Sequence, residues 1–178
     1  MRPFRADRHG GVRARFEAAE AAVLRRFAAE AADRAERAER AGVGEPDAST
    51  ADPALARLLP DAYSDDPEAS AEFRRFTAER LAEQKAENAR VVIASLSGPA
   101  GDVPDDARAV DVRLDAEQAQ AWLRTLTDIR LALAAGLGIE QDGDEGDVHD
   151  DESAMQRAVY DWLAGVQELL VLAVRPRR

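Results

Sequence analysis

Two periodicities divide this chain. Over most of its length apolar residues recur every three or four positions, the spacing of an amphipathic helix. In two short stretches they alternate with charged residues, the spacing of a strand with one face in the core. Val12, Ala14 and Phe16 interleave with Arg13 and Arg15, and together with residues 4–8 across Gly10-Gly11 they predict an N-terminal β-hairpin. A helix is predicted over 17–40. Its first half is amphipathic through Val23, Leu24 and Phe27, while its second half sets Glu30, Asp33 and Glu36 four residues ahead of Arg34, Arg37 and Arg40 and reads as a solvated extension. A short helix over 54–59 stops at Pro60, and a long one opens at Pro67 behind Asp66 as cap and runs to about Leu96. Val110-Asp-Val-Arg-Leu114 alternates again. Asp115 and Gln118 have capping-box spacing and open a helix closed by Gly136 and Gly138, and a last helix is predicted over 153–174.

Residues 12–21 and 110–119 align without gaps, each a strand that turns directly into a helix. The echo points to two similar strand-to-helix units in one small sheet. The fold expected is mainly α (α+β): a helical bundle of three long helices and one short helix, with a small antiparallel or mixed sheet made of the hairpin and a third strand near 110–114. At 178 residues the chain suits one domain over 1–178, with flexible loops at about 42–53, 98–106 and 140–152 and a basic tail at 175–178.

One residue breaks the pattern. Trp122, Leu123, Leu126, Ile129, Leu133 and Leu137 share an apolar helix face, and Arg130 falls inside it. A buried guanidinium without partners costs several kcal/mol (on the order of 3–5), so Arg130 has to be met. Asp128, two residues away, points to the other side, near Arg124. The helix over 67–96 offers polar residues Thr77, Gln84, Asn88 and Ser95 on the side marked by Phe73, Phe76, Leu81, Val91 and Val92, and Gln84 or Asn88 is the expected partner. Arg130, Asn88, Gln84 and Thr77 thus form an expected polar core or pocket.

The formal net charge is −11, which as a whole repels nucleic acid and anionic membranes. Against it stands a basic patch: Arg5, Arg13 and Arg15 at the hairpin, with Arg177 and Arg178 in the tail, as a nucleic-acid or partner contact. No aromatic residues interleave there for base stacking. Leu131, Tyr160 and Val171 lie off the main apolar stripes and are candidates for a helix interface, including one in a homodimer. The absence of cysteine excludes disulfides, thiol nucleophiles and thiolate metal sites. Neither register of the acidic stretch from Glu140 to Glu152 fits a calcium loop, His9 and His149 lack zinc-enzyme spacing, and no phosphate-binding or nucleophile motif occurs. No catalytic residue, cofactor or metal is expected. Met155 reads as core. No apolar run has the length of a membrane span, and the start lacks the apolar core of a signal peptide.

Five segments together carry a family resemblance: Leu58-Leu-Pro-Asp-Ala-Tyr63, Glu72-Phe-Arg-Arg-Phe-Thr77, Lys85-Ala-Glu-Asn-Ala89, Trp122-Leu-Arg-Thr-Leu-Thr-Asp-Ile-Arg-Leu-Ala-Leu133 and Val159-Tyr-Asp-Trp-Leu163. In order and spacing they resemble an actinobacterial family first catalogued as a domain of unknown function and since described as oxidation-sensing regulators. The resemblance implies a cytoplasmic transcription regulator, in some members with a paired-cysteine sensor and a sigma-factor partner. This chain lacks the cysteines, so disulfide sensing is not available to it. The function expected is therefore a non-enzymatic regulator working through protein contacts with RNA polymerase or a sigma factor. The alternatives are a DNA-binding regulator using the arginine hairpin, and a small-ligand protein or enzyme with a polar pocket near Arg130.

Overall fold

The alternating stretches pair into one sheet, and the helical stretches pack against its apolar face. A computed structural model describes residues 2–7, 10–40, 53–58, 67–97, 109–141 and 143–175, with side chains left out at 2–3, 39–40, 55–56 and 67–79. In chain order the elements are β1 (Arg2–Ala6), β2 (Val12–Phe16), α1 (Ala18–Arg40), α2 (Pro53–Leu58), α3 (Pro67–Leu96), β3 (Val110–Leu114), α4 (Ala116–Gly136) and α5 (Asp151–Val174). The sheet order is β1-β2-β3 with both pairs antiparallel, so of the two sheet types expected the antiparallel one forms. The architecture is mainly α with a small sheet, as the periodicities predict. Among the described residues four long helices take part, where three are expected.

The echo between residues 12–21 and 110–119 is structural. Val12 faces Leu114, Ala14 faces Val112 and Phe16 faces Val110, so each residue pairs with the counterpart of its own mirror position about the Ala14–Val112 centre. The two helix starts match as well. The backbone N–H of Glu17 donates to the Glu20 carboxylate at 2.8 Å, and that of Asp115 donates to Gln118 Oε1 at 3.0 Å. At the mouth of the hairpin Gly11 passes so near β3 that a Cβ there would lie 2.5 Å from the carbonyl oxygen of Leu114, a distance only glycine permits.

The inner sheet face carries Phe4, Val12, Ala14, Phe16, Val110, Val112 and Leu114, all buried. Phe4, Phe16 and Trp122 of α4 pack as a triad with ring centroids 5.7–5.8 Å apart. Burying each ring is worth roughly 2–3 kcal/mol, which makes this triad the anchor of α4 on the sheet. The Trp122 indole N–H donates to Ser95 Oγ of α3 at 3.3 Å. From α5, Val159, Leu163, Val166 and Leu170 form the buried stripe.

The second half of α1 differs from the solvated extension expected. Ala32, Ala35 and Ala38 are buried, as are Ala82, Ala86 and Ala89 of α3, and these two helices make the most extensive helix–helix contact in the fold. Alanine is small enough to let helix backbones approach closely, so a run that looks polar by its charges hides a core stripe. Leu81, expected on the core side of α3, is exposed, and the buried side is the alanine one. Met155, expected in the core, is 62% exposed.

The acidic segment after α4, expected to be a flexible loop, closes back on the helix end. Asp144 Oδ2 accepts from the backbone N–H groups of Glu140 and Gln141 at 2.9 and 3.0 Å, and Asp147 N donates to Leu137 O at 2.7 Å. Those N–H donors, Gln141 first, hold the Asp144 carboxyl below its ordinary pKa. The loops expected at about 42–53 and 98–106 fall almost wholly outside the described residues.

Candidate functional site

Alternation along the strands sends every second side chain out of the core, and in β2 and β3 those positions hold charges. The outer face of the sheet carries Arg5, Arg13, Arg15, Asp111 and Arg113. Register decides who meets whom. Arg5 of β1 sits opposite Arg13 of β2, Arg13 sits opposite Arg113 of β3, and Arg15 sits opposite Asp111. Arg15 Nη1 donates to Asp111 Oδ2 at 3.0 Å. The three arginines Arg5, Arg13 and Arg113 cross the sheet in one row without a carboxylate partner among the described residues. Directly opposed like charges destabilise a strand pair by some tenths of a kcal/mol up to about 1 kcal/mol. Arg5, Arg13 and Arg15 thus lie together on one sheet face. Arg177 and Arg178 lie outside the described residues. Arg113 was missed, although the echo that aligns it with Arg15 puts it on the same face.

The second charged cluster is interior. Lys85 is the one lysine among 24 basic residues. Its Nζ lies 2.6 Å from Asp128 Oδ1, with 19% of the lysine and 9% of the aspartate side chain accessible. Asp128 is therefore not on the solvated side with Arg124; it is one of the buried polar residues, with Asn88 and Thr125. Burial pushes its carboxyl above the ordinary pKa, and the Lys85 ammonium only partly counters this. Gln84 Nε2 donates to Asn88 Oδ1 at 3.3 Å. A small cavity bordered by Ala31, Ala35 and Leu58 reaches this pair and Thr125, whose buried Oγ1 has no hydrogen-bond partner among the described residues.

Arg130 finds partners on α5 and not on α3. Its Nη1 donates to Gln167 Oε1 at 3.0 Å, its Nη2 approaches the Tyr160 hydroxyl at 3.4 Å, and its guanidinium lies 4.9 Å from the Tyr160 ring centroid. Gln167 Nε2 in turn donates to Thr127 Oγ1 at 2.7 Å. The expected pairing with Gln84 or Asn88 is replaced because α3 approaches α4 at Asp128, one helix face round from Arg130. The Arg130 Nε is buried without a partner among the described residues. Of the expected polar core, Asn88 and Gln84 stand beside the Lys85–Asp128 pair, and the Thr77 side chain is outside those described. Of the expected helix interface, Leu131 is 36% exposed, Tyr160 packs against the core under Arg130, and Val171 is half-buried. Among the described residues no three metal-binding side chains cluster, and no helix is long and apolar enough to cross a membrane.

Comparison with known proteins gives a consistent answer. Residues 1–174 match the model of a family described as Domain of unknown function (DUF2017). Proteins named oxidative stress regulator AosR from Mycobacterium bovis and Mycobacterium tuberculosis are 35% identical over 135 residues, 71% of this chain. The match spans 60% of the length of those relatives. No solved structure matches the chain.

Proposed function

We propose a regulatory, non-enzymatic role for this chain, which belongs to the DUF2017 family. The observation that carries the proposal is the 35% identity, over 71% of the chain, to proteins named oxidative stress regulators. The chemistry of the interior supports it. The partly buried charges that could serve a reaction have partners within the fold: Lys85 pairs with Asp128, and Arg130 bonds the neutral side chains of Gln167 and Tyr160. The expected pocket near Arg130 thus finds less support than a structural role for that residue.

In this reading the protein acts in the cytoplasm by contacting the transcription machinery, RNA polymerase or a sigma factor. Its input is not a cysteine pair, because the chain has none. Direct DNA contact is the second reading, and the arginine row of the sheet favours it. Affinity capture of the tagged protein from its native host, with and without nuclease, separates the two. Nuclease-resistant enrichment of RNA polymerase or a sigma factor supports contact with protein. Enrichment that vanishes with nuclease moves the function to DNA, and enrichment of neither removes transcription from the reading.

A further inference from the structure

The outer sheet face is built around an imbalance. About the Ala14–Val112 centre the antiparallel register makes two equivalent cross-strand sites, Arg15 opposite Asp111 and Arg13 opposite Arg113. The first closes as a 3.0 Å ion pair. The second has the same backbone geometry with an arginine where its mate has the acid, and Arg5 adds a third guanidinium from β1. Opposite-charge pairs stabilise such positions and like-charge pairs do the reverse. An incoming carboxylate would therefore find guanidinium forks carried on neighbouring strands, whose backbones run roughly 4.8 Å apart.

The row does not end at the sheet. Arg5 and Arg13 also line a groove between β1 and the C-terminal end of α5, where Leu169, Leu172 and Arg175 form the other wall. Leu172 is 55% exposed, a large apolar side chain directly beside the cationic row. This juxtaposition selects the occupant. A nucleic-acid backbone would satisfy the arginines and leave Leu172 without a partner, and the outer face carries no aromatic ring for a base. The whole-chain charge of −11 further opposes a long polyanion. A short acidic segment with apolar residues spaced among its carboxylates satisfies both features.

We infer that the arginine row Arg5–Arg13–Arg113, continued by Leu172 and Arg175, is a docking surface for an acidic, amphipathic polypeptide segment of a partner protein. The inference rests on the protein-contact reading given above and adds the chemistry of what is contacted. Carboxylates of the segment meet the guanidinium groups, and a leucine-sized side chain covers Leu172.

Fluorescence anisotropy of the full chain with a labelled soluble peptide of repeating Glu-Glu-Leu tests this directly, with Glu-Glu-Gly as the apolar-free control and a duplex DNA as competitor. Saturable binding that weakens with salt is expected. The Arg13→Glu/Arg113→Glu variant should bind at least about tenfold more weakly while melting close to wild type, since it exchanges one like-charge cross-strand pair for another and sets an acid opposite Arg5. Leu172→Ser should reduce Glu-Glu-Leu binding to the level of Glu-Glu-Gly without changing the control. No saturable binding, or binding indifferent to the arginine variant, overturns the inference. DNA that binds more tightly than the peptide and is lost with the same variant overturns it in favour of a nucleic-acid face. Capture of RNA polymerase or a sigma factor undiminished by Arg13→Glu/Arg113→Glu would keep the regulator reading and remove this surface from it. Peptide binding without such capture would do the reverse.

Discussion

Replacing Lys85 by methionine tests the account of the interior most sharply. At 2.6 Å and an effective dielectric of about 20, two unit charges attract by roughly 6 kcal/mol before desolvation is counted. The carboxyl of Asp128 nevertheless titrates above its ordinary value, with burial the larger cause, so desolvation outweighs the stabilising contact. Lys85→Met then leaves a carboxylate with 9% of its side chain accessible and no cation. The expected cost is about 3 kcal/mol near neutral pH, or roughly 6–12 °C in Tm for a chain of this size. The double variant Lys85→Met/Asp128→Leu should recover to within about 1 kcal/mol of wild type, because an apolar pair of similar volume has no charge to desolvate. The pH dependence follows from linkage. A carboxyl whose folded pKa is raised binds protons more tightly in the folded state, so its contribution to stability falls as pH rises from the ordinary value through the raised one. Removing Lys85 raises that pKa further, so the deficit of Lys85→Met should shrink on acidification and grow on return to neutral pH. Urea unfolding of wild type, both single variants and the double variant across that range measures all of this. A Lys85→Met cost under about 0.5 kcal/mol, or a deficit independent of pH, would refute the buried-pair account.

Four further outcomes follow from the same geometry. Thr125→Val removes a buried hydroxyl without a partner and should stabilise the fold by about 1 kcal/mol; a loss of stability in thermal melts would show that the hydroxyl is bonded. Arg130→Met should cost about 1–2 kcal/mol, read by urea unfolding, because it removes the bond to Gln167 and the contact with Tyr160; an unchanged midpoint would mean that Arg130 does not hold α4 to α5. Gly11→Ala drives a Cβ to 2.5 Å from the Leu114 carbonyl and should lower stability by about 2 kcal/mol in urea unfolding, within the usual range of single substitutions; a neutral result would show that the hairpin shifts freely against β3. Arg13→Glu alone places an acid between Arg5 and Arg113 and should raise Tm through a gain of about 0.5–1 kcal/mol; a fall would mean that the row is not repulsive.

Most of the secondary structure was legible because local signals agree with the fold. Strand alternation, the Asp115–Gln118 capping box and the Pro67 start each mark an element that forms where the pattern puts it. The misreadings share a cause. Charges dominate the look of residues 30–40, while the burial there is done by alanines, and alanine is nearly silent on any apolar scale although it lets helices pack most closely. Met155 fails the other way: it continues the spacing of Val159, Leu163, Val166 and Leu170, yet it sits near the start of α5, where that face is exposed. A stripe position is a property of the whole helix, and one residue near its end is a poor guide.

The charged clusters were only half legible, and the half that was missed is pairwise. The sequence singles out Arg130 as a cation in an apolar face, but which helix lies over that face is set by tertiary packing, and α5 supplies Gln167 and Tyr160 there. Lys85 carried its own signal as the sole lysine, yet nothing in a helical wheel links it to Asp128, 43 residues on. On the sheet the situation is reversed. Strand register follows from the inward apolar positions, because a slip of one residue would turn Phe16 and Val112 to solvent, and once the register is fixed the outward charges have no freedom in whom they face. The same constraint that keeps the aromatic triad buried therefore opposes Arg13 to Arg5 and Arg113. The row Arg5–Arg13–Arg113 is held in that arrangement by the core, not by attraction among its own members, which leaves these three guanidinium groups available to a partner and makes them the part of the fold where surface charge can change with the least cost to stability.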